Sequence, residues 1–180
     1  MQARIFRPAL LTPSVHGGGY NCDISIRLLT FMINHGIGTT ARNQVSFSPA
    51  DLAADNIVAI SRVPGSVGAT YHVTRDDYAS MSDITTILGE LTGSTFRNYP
   101  LDAFVPEVIE RCHSGDILFP LLEFLVRSVD NITAMEFKRY DNSHYRQVRD
   151  ASAFGKADPP LQDVVLGMLR FMRKQHLVKV

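Results

Sequence analysis

Glycine and proline cut the first half of this chain into short pieces whose hydrophobic period switches repeatedly between that of a strand and that of a helix, and this alternation restricts the fold more than any other feature. Residues 3–11 begin with apolar–polar alternation and meet Pro8, which predicts a strand running into a loop. Three successive glycines, Gly17 to Gly19, make the following stretch the freest backbone in the chain. From Asp23 onward, Ile24, Leu28, Leu29, Phe31, Met32 and Ile33 recur near every 3.6 residues, with Asp23 or Asn21 as N-cap and Gly36 and Gly38 as the stop. A short strand over 45–47 then precedes a helix with Ser48 as N-cap and Pro49 in its first position. That helix carries Leu52, Ile57, Val58 and Ile60 and ends in the turn 64–68, after which 69–73 is rich in strand formers. Ser80 or Ser82 starts a further helix, faced by Met81, Ile84, Ile87, Leu88 and Leu91 and stopped by Gly93. Such alternation belongs to the α/β class.

Beyond Phe96 the pattern becomes mainly helical, with helices expected over 103–112, 117–129 and 161–177. The polar, proline-punctuated stretches 137–145 and 154–160 read as loops with room for one turn of helix. The chain has 180 residues, 45% of them apolar, enough for one buried core. Eighteen basic against eighteen acidic residues argue against nonspecific binding to nucleic acid or an anionic membrane. No apolar run approaches the ~18–20 residues of a membrane span, since 117–126 is cut by Pro120 and Glu123. The apolar stretch behind Arg4 and Arg7 is too short for a secretory signal, so a reducing, cytoplasmic setting is expected. Cys22 and Cys112 have neither CxxC spacing nor histidines at ligand spacing, and read as idle thiols.

Chemistry is sparsely signposted. There is no G-x-S-x-G elbow, no H-E-x-x-H and no histidine pair at i,i+4, so no catalytic residue and no metal ligand is expected. His35 and His176 fall near helix C-termini, where the dipole favours an imidazolium. Gly65-Ser-Val-Gly68-Ala-Thr-Tyr71 has two glycines of a dinucleotide fingerprint, but Tyr71 stands in place of the third and the stretch precedes a strand instead of following one. It reads as a turn. Arginine outnumbers lysine 14 to 4, a bias compatible with an acidic partner or with an ordinary solvated face.

Taken in order, Ile5-Phe-Arg-Pro8, the glycine loop to Asp23, the helix closed at Gly36, Phe47-Ser-Pro-Ala-Asp-Leu52, Gly68-Ala-Thr-Tyr-His-Val73, Ile117-Leu-Phe-Pro-Leu-Leu122 and the terminal helix 169–177 form a pattern. It resembles the C-terminal portion of a thioester reductase domain. These are extended short-chain dehydrogenases found at the end of nonribosomal peptide and polyketide synthetases and in carboxylic acid reductases. The resemblance implies a few strands left from a Rossmann-type parallel sheet over residues 1–75 and a mainly helical substrate-binding subdomain over 76–180, with the N-terminal nucleotide-binding half absent. It implies a parent enzyme that uses NADPH to release an acyl chain from the phosphopantetheine of a carrier protein as aldehyde or alcohol.

In that family a tyrosine donates the proton and a lysine lowers its pKa. No Y-x-x-x-K occurs here. Tyr71 and Tyr145 have Arg75 and Arg149 at that spacing, but one lies in an expected strand and the other in an expected loop, so neither replaces the pair. The resemblance makes Pro8, Ala9 and Leu10 cofactor-wall residues, although the family usually has glycine after the proline. It puts Tyr20, Asn21 and Asp23 at the substrate mouth, where Asn21 and Asp23 have helix capping as their plainer role, behind glycines free enough for a lid. Phe119 and Leu122, with Leu121 and Phe124, line an acyl channel on this view and a helical core on the other. The chain alone is expected to bind no cofactor, to be inactive, and to self-associate through bare strand edges. The alternative is a stand-alone, non-catalytic module that binds a carrier protein through its arginines. The cap of a sugar-nucleotide epimerase is a third possibility, weakened by the helical C-terminal third.

Overall fold

A computed structural model describes residues 3–19, 22–135 and 137–179. The N-terminal segment is extended twice, as β1 (Ile5–Pro8) and β2 (Leu10–Thr12), with Ala9 between them. α1 (Ile24–His35) begins where the Asp23 carboxylate accepts a hydrogen bond from the Ile26 N–H at 3.0 Å, and ends at Gly36 with φ of 62°. β3 (Ile37–Thr39), β4 (Gln44–Val45) and β5 (Phe47–Pro49) follow, and β5 runs directly into α2 (Ala50–Ser61). After β6 (Thr70–Val73) and β7 (Ala79–Ser80), Ser80 and Asp83 form a reciprocal capping box on α3 (Met81–Thr92). β8 (Arg97–Tyr99) is the last strand among the described residues. Beyond it come α4 (Leu101–Arg111), a 3₁₀ turn at Phe119–Leu121, α5 (Leu122–Arg127), α6 (Val129–Ala134), α7 (Ser143–Ala151) and α8 (Leu161–Lys174).

The α/β first half and helical second half are as expected, and the pairing gives them order. β1 runs parallel to β6, with Ile5 opposite Thr70 and Pro8 opposite Val73, while β2 runs parallel to β5. β5, α2 and β6 thus form a strand–helix–strand unit whose two strands both align with the N-terminal segment. Two strands that run in the same direction cannot be joined by a tight hairpin, which is why a helix lies between them. β3 pairs parallel with β8, and β4 pairs antiparallel with β7.

Several expectations need correction. Val45 belongs to the antiparallel pair, and the parallel ladder is made by 47–49 instead. Ser48 and Pro49 are the end of β5, buried opposite Leu11 and Thr12, so the ladder holds Ser48 extended and Pro49 becomes the cap of α2. The strands at 10–12, 37–39, 79–80 and 97–99 are too short to show a period. The single helix expected over 117–129 is broken because Pro120, lacking an N–H, sits in the 3₁₀ turn, and a second break follows at Ser128. α7 starts inside the stretch 137–145 read as loop and runs on beyond it, so Tyr145 lies on a helix. Its buried face is Tyr145 and Arg149, a stripe that an apolar count does not detect. α8 ends at Lys174, short of Leu177.

The main core gathers side chains from α1, α3, α4 and α8, and a smaller cluster of Ala53, Ile60, Tyr71, Val73 and Tyr145 joins α2, β6 and α7. α8 presents Val164, Val165, Met168, Leu169, Phe171 and Met172 to the interior, none more than 1% exposed. Its close approach to the loop after β2 depends on Gly167, where a Cβ would lie 2.5 Å from the Ser14 carbonyl oxygen and 2.7 Å from the Val15 Cα. None of the helices described is long and apolar enough to cross a membrane.

A charged network holds α7 beneath the C-terminal ends of β1 and β6. The Arg149 side chain, 3% exposed, donates to Asp150 at 2.8 Å and to Asp76 at 3.0 Å, and lies 3.9 Å from Asp158. Burial works against its charge, but the hydrogen bonds it donates to Asp150 and Asp76 outweigh this and raise its pKa. Burial pushes the Asp158 carboxyl up, partly offset by the hydrogen bond it accepts from the Asp76 N–H. Arg75, also buried, donates to Asp77 and to the Pro159 carbonyl.

Two outcomes follow for stability. Gly167→Ala gains about 1 kcal/mol of helix propensity but overpacks against backbone, so urea denaturation should show a net loss of about 1–3 kcal/mol. Arg149→Met leaves Asp76, Asp150 and Asp158 facing one another. Because two of these are partly solvated, the expected loss by the same measurement is about 2–3 kcal/mol, below the range for a fully buried pair.

Candidate functional site

Ligands of open parallel sheets bind outside the carboxyl ends of the strands. In this chain the carboxyl ends of β1 and β6 lie side by side, Pro8 opposite Val73, and a recess of about 230 Å³ opens there, lined by Arg7, Pro8, Ala9, His72, Thr74 and Tyr140. The Ala9 N–H donates to the Val73 carbonyl at 3.1 Å, which pins the backbone at the break between β1 and β2. On the opposite wall the His72 and Tyr140 rings meet edge to face with centroids 5.3 Å apart, and His72 Nδ1 lies 3.2 Å from the Asp141 carbonyl. Asn142 closes the strand end by donating to the Thr74 and Arg75 carbonyls. Thr74, 3% exposed, keeps a buried hydroxyl with no hydrogen-bond partner among the described residues.

Pro8 and Ala9 therefore line this recess, and Leu10 does not. Leu10 lies in β2 and is 37% exposed. Tyr20 and Asn21 lie outside the described residues. Asp23 caps α1, and burial raises its pKa despite the hydrogen bonds it accepts from the Ile26 and Ser25 N–H groups. Phe119 stands 45% exposed on the 3₁₀ turn, while Leu122 packs against the main core, and neither reaches the recess. The glycine loop is folded on itself, with Gly17 donating to the Ser14 carbonyl and Ser14 to the Gly18 carbonyl, and it rests on Arg170 and Phe171 of α8.

The two Tyr-x-x-x-Arg pairs are scaffolding. Tyr71 is fully buried and donates to the Ser66 carbonyl at 2.8 Å. The Tyr145 hydroxyl accepts from Asn56 Nδ2 at 2.9 Å, and burial raises its pKa. Gly65 and Gly68, both with positive φ, lie between α2 and β6, as a turn and not as a phosphate-binding loop.

Sequence reasoning missed His72, Thr74 and Tyr140, whose only signal was their place just before, just after and far beyond a strand end. It also missed a cluster elsewhere. His35 Nε2 lies 2.9 Å from one Asp116 oxygen and His113 Nδ1 lies 2.5 Å from the other. Burial alone would raise the Asp116 carboxyl, but hydrogen bonds from the His113 N–H and from both imidazoles hold it down, to about 2. The i,i+3 spacing of His113 and Asp116 was readable, but their meeting with His35 was not.

No protein-family model and no curated protein matches the sequence. Solved structures do. The terminal R domain from the myxalamid PKS-NRPS biosynthetic pathway aligns with 99% of this chain at a TM-score of 0.80 and 18% identity, the match covering 45% of that domain. A thiolation-reductase di-domain from an archaeal non-ribosomal peptide synthetase aligns with 97% of the chain at a TM-score of 0.70 and 16% identity, over 37% of its own length. A UDP-glucuronic acid 4-epimerase from Bacillus cereus, in complex with UDP-glucuronic acid and NAD, aligns with 95% of the chain at a TM-score of 0.61 and 13% identity, over 45% of its length. The chain thus spans less than half the length of each of these three structures. It has, over nearly all of its length, the fold of part of the terminal reductase domains of nonribosomal peptide and polyketide synthetases.

Proposed function

We propose that this chain is the substrate-binding, C-terminal part of an NADPH-dependent thioester reductase that releases a carrier-bound acyl or peptidyl thioester as aldehyde or alcohol. The observation that carries this reading is the gradient of similarity. The match to a terminal reductase domain, at a TM-score of 0.80, stands well above the match to the epimerase, at 0.61. On this reading residues 1–75 supply the remaining strands of the dinucleotide-binding sheet and residues 76–180 the substrate-binding subdomain. The glycine fingerprint and the Tyr-x-x-x-Lys pair, neither of which occurs in these 180 residues, come from a nucleotide-binding half outside them.

The recess suits one end of such a cofactor. At about 230 Å³ it falls below the ~300 Å³ of the smallest ordinary ligand pockets, so it takes a ring and not a whole dinucleotide. Bound NADPH supplies the hydride that reduces the thioester carbonyl. The chain's own part is to present Pro8 and Ala9 as a wall of small side chains, held by the Ala9–Val73 hydrogen bond, and to face it with the ring pair of His72 and Tyr140. Tyr20, Asn21 and Asp23 belong to the substrate mouth and Phe119 and Leu122 to the acyl path in this proposal. The carrier protein and its phosphopantetheine are the partners.

Incubating the chain with NADPH and an acyl thioester should oxidise no nucleotide above background, and robust turnover would show that the machinery is complete without a second half. Adding the nucleotide-binding half of a matched reductase in trans is the complementary trial. Restored turnover supports the reading, and tight binding of carrier protein without any restoration favours the stand-alone module.

β1 pairs with a single strand among the described residues, and Ile5 within it is 50% exposed, as are Leu10 and Leu11 of the adjoining β2 to 37% and 42%. Apolar, unpaired strand edges recruit further strands. Light scattering should therefore show mass rising with concentration, and Ile5→Lys should suppress the rise. A particle that stays monomeric at high concentration contradicts the bare edge.

A further inference from the structure

Far from the strand ends, at the junction of α1 with the loop after α4, two imidazoles and a carboxylate converge. His35 is the last residue of α1, and its ring lies 4.2 Å from that of Phe31, which is 1% exposed, so the core side holds it in place. Asp116 is brought to it by a turn in which the Asp116 N–H donates to the His113 carbonyl and the His113 N–H donates back to the Asp116 carboxylate, both at 2.9 Å. The same loop is tied to α1 a second time, where Arg27 Nη1 donates to the Ile117 carbonyl at 2.6 Å. The two imidazole rings are 5.8 Å apart, centre to centre. One nitrogen from each histidine and an oxygen of Asp116 all lie within 4.8 Å of one another.

The geometry points to a binding site for a single zinc ion on His35, His113 and Asp116. Two imidazole nitrogens and one carboxylate oxygen are ligands suited to zinc. Bonds of about 2.0–2.2 Å to each put ligand atoms roughly 3.3 Å apart around a tetrahedral ion, so the present separations need only small side-chain rotations. As the ion enters, each ligating nitrogen gives up its N–H, the proton passing to the other ring nitrogen or to solvent.

The exposures point the same way. The His35 and Asp116 side chains are 18% and 14% exposed, so two ligands sit in mostly covered positions. The His113 side chain is 75% exposed and faces the solvent side, from which an ion enters and a water completes the fourth position. With three protein ligands from two segments, the ion would clamp the end of α1 to the loop before the 3₁₀ turn. This places a metal where neither the recess nor the proposed reductase chemistry requires one.

The test is titration of the metal-free chain with Zn(II) by calorimetry, with Co(II) as a spectroscopic stand-in. One equivalent should bind with a dissociation constant near or below ~1 µM, Co(II) should give the visible absorption of a four-coordinate site, and the melting temperature should rise on loading. His113→Ala changes only an exposed side chain and keeps the fold testable. It and Asp116→Ala should each weaken binding by about tenfold or more. The proposal is overturned if no saturable one-equivalent binding occurs below about 100 µM, or if both variants bind zinc as tightly as the parent chain. In either case the cluster is only a hydrogen-bonded tie.

Discussion

The contact on which the rest of the molecule depends is the seating of α8 against the loop that follows β2. Six side chains of α8 are essentially without solvent contact, and the helix comes this close because Gly167 has no side chain to hold Ser14 and Val15 away. Arg170 then crosses back to the Val15 carbonyl. The loop anchored this way continues directly from β2, and β2 from β1, so the seating of α8 and the pairing of β1 with β6 hold the N-terminal segment from its two ends.

Arginine has an unusual part in this architecture. Its excess over lysine reads from composition as anion recognition, yet many of these side chains are committed inside the protein. Arg27 bridges the Cys22 and Ile117 carbonyls, Arg75 reaches Asp77 and Pro159, and Arg149 gathers three aspartates. The planar fork of five donors suits this task, since it satisfies several acceptors from one position, whereas lysine offers a single point of charge. Neutral net charge fits the same picture, because the acids that balance these arginines are often their direct partners.

The sequence made the first-half helices and their ends legible, for reasons that are local. Asp23, Gly36, Ser80 and Gly93 act on groups within four residues, and the structure uses all four as caps. What could not be read depends on distant partners. Ser48 is a good cap in isolation, but pairing with Leu11 draws it into a strand. The short strands exist only as ladders, and a two- or three-residue segment has no period of its own. α7 was hidden because its inward face is a tyrosine and an arginine. At the recess, Pro8 and Ala9 were found through family resemblance, while His72, Thr74 and Tyr140 required the register of β1 against β6. The histidine–aspartate cluster joins the end of α1 to a turn far along the chain and has no local signature beyond His113 and Asp116.

The order of these contacts along the chain also bears on how the protein is made. Its strand ladders join Ile5 with Thr70 and Leu10 with Phe47, and its core is completed only by α8. A chain emerging from the ribosome exposes Ile26, Leu29 and Met32 long before Val165 and Met168 arrive to cover them. The core cannot close before synthesis has passed α8, and until then these side chains stay uncovered, the condition in which a partly folded chain aggregates most readily.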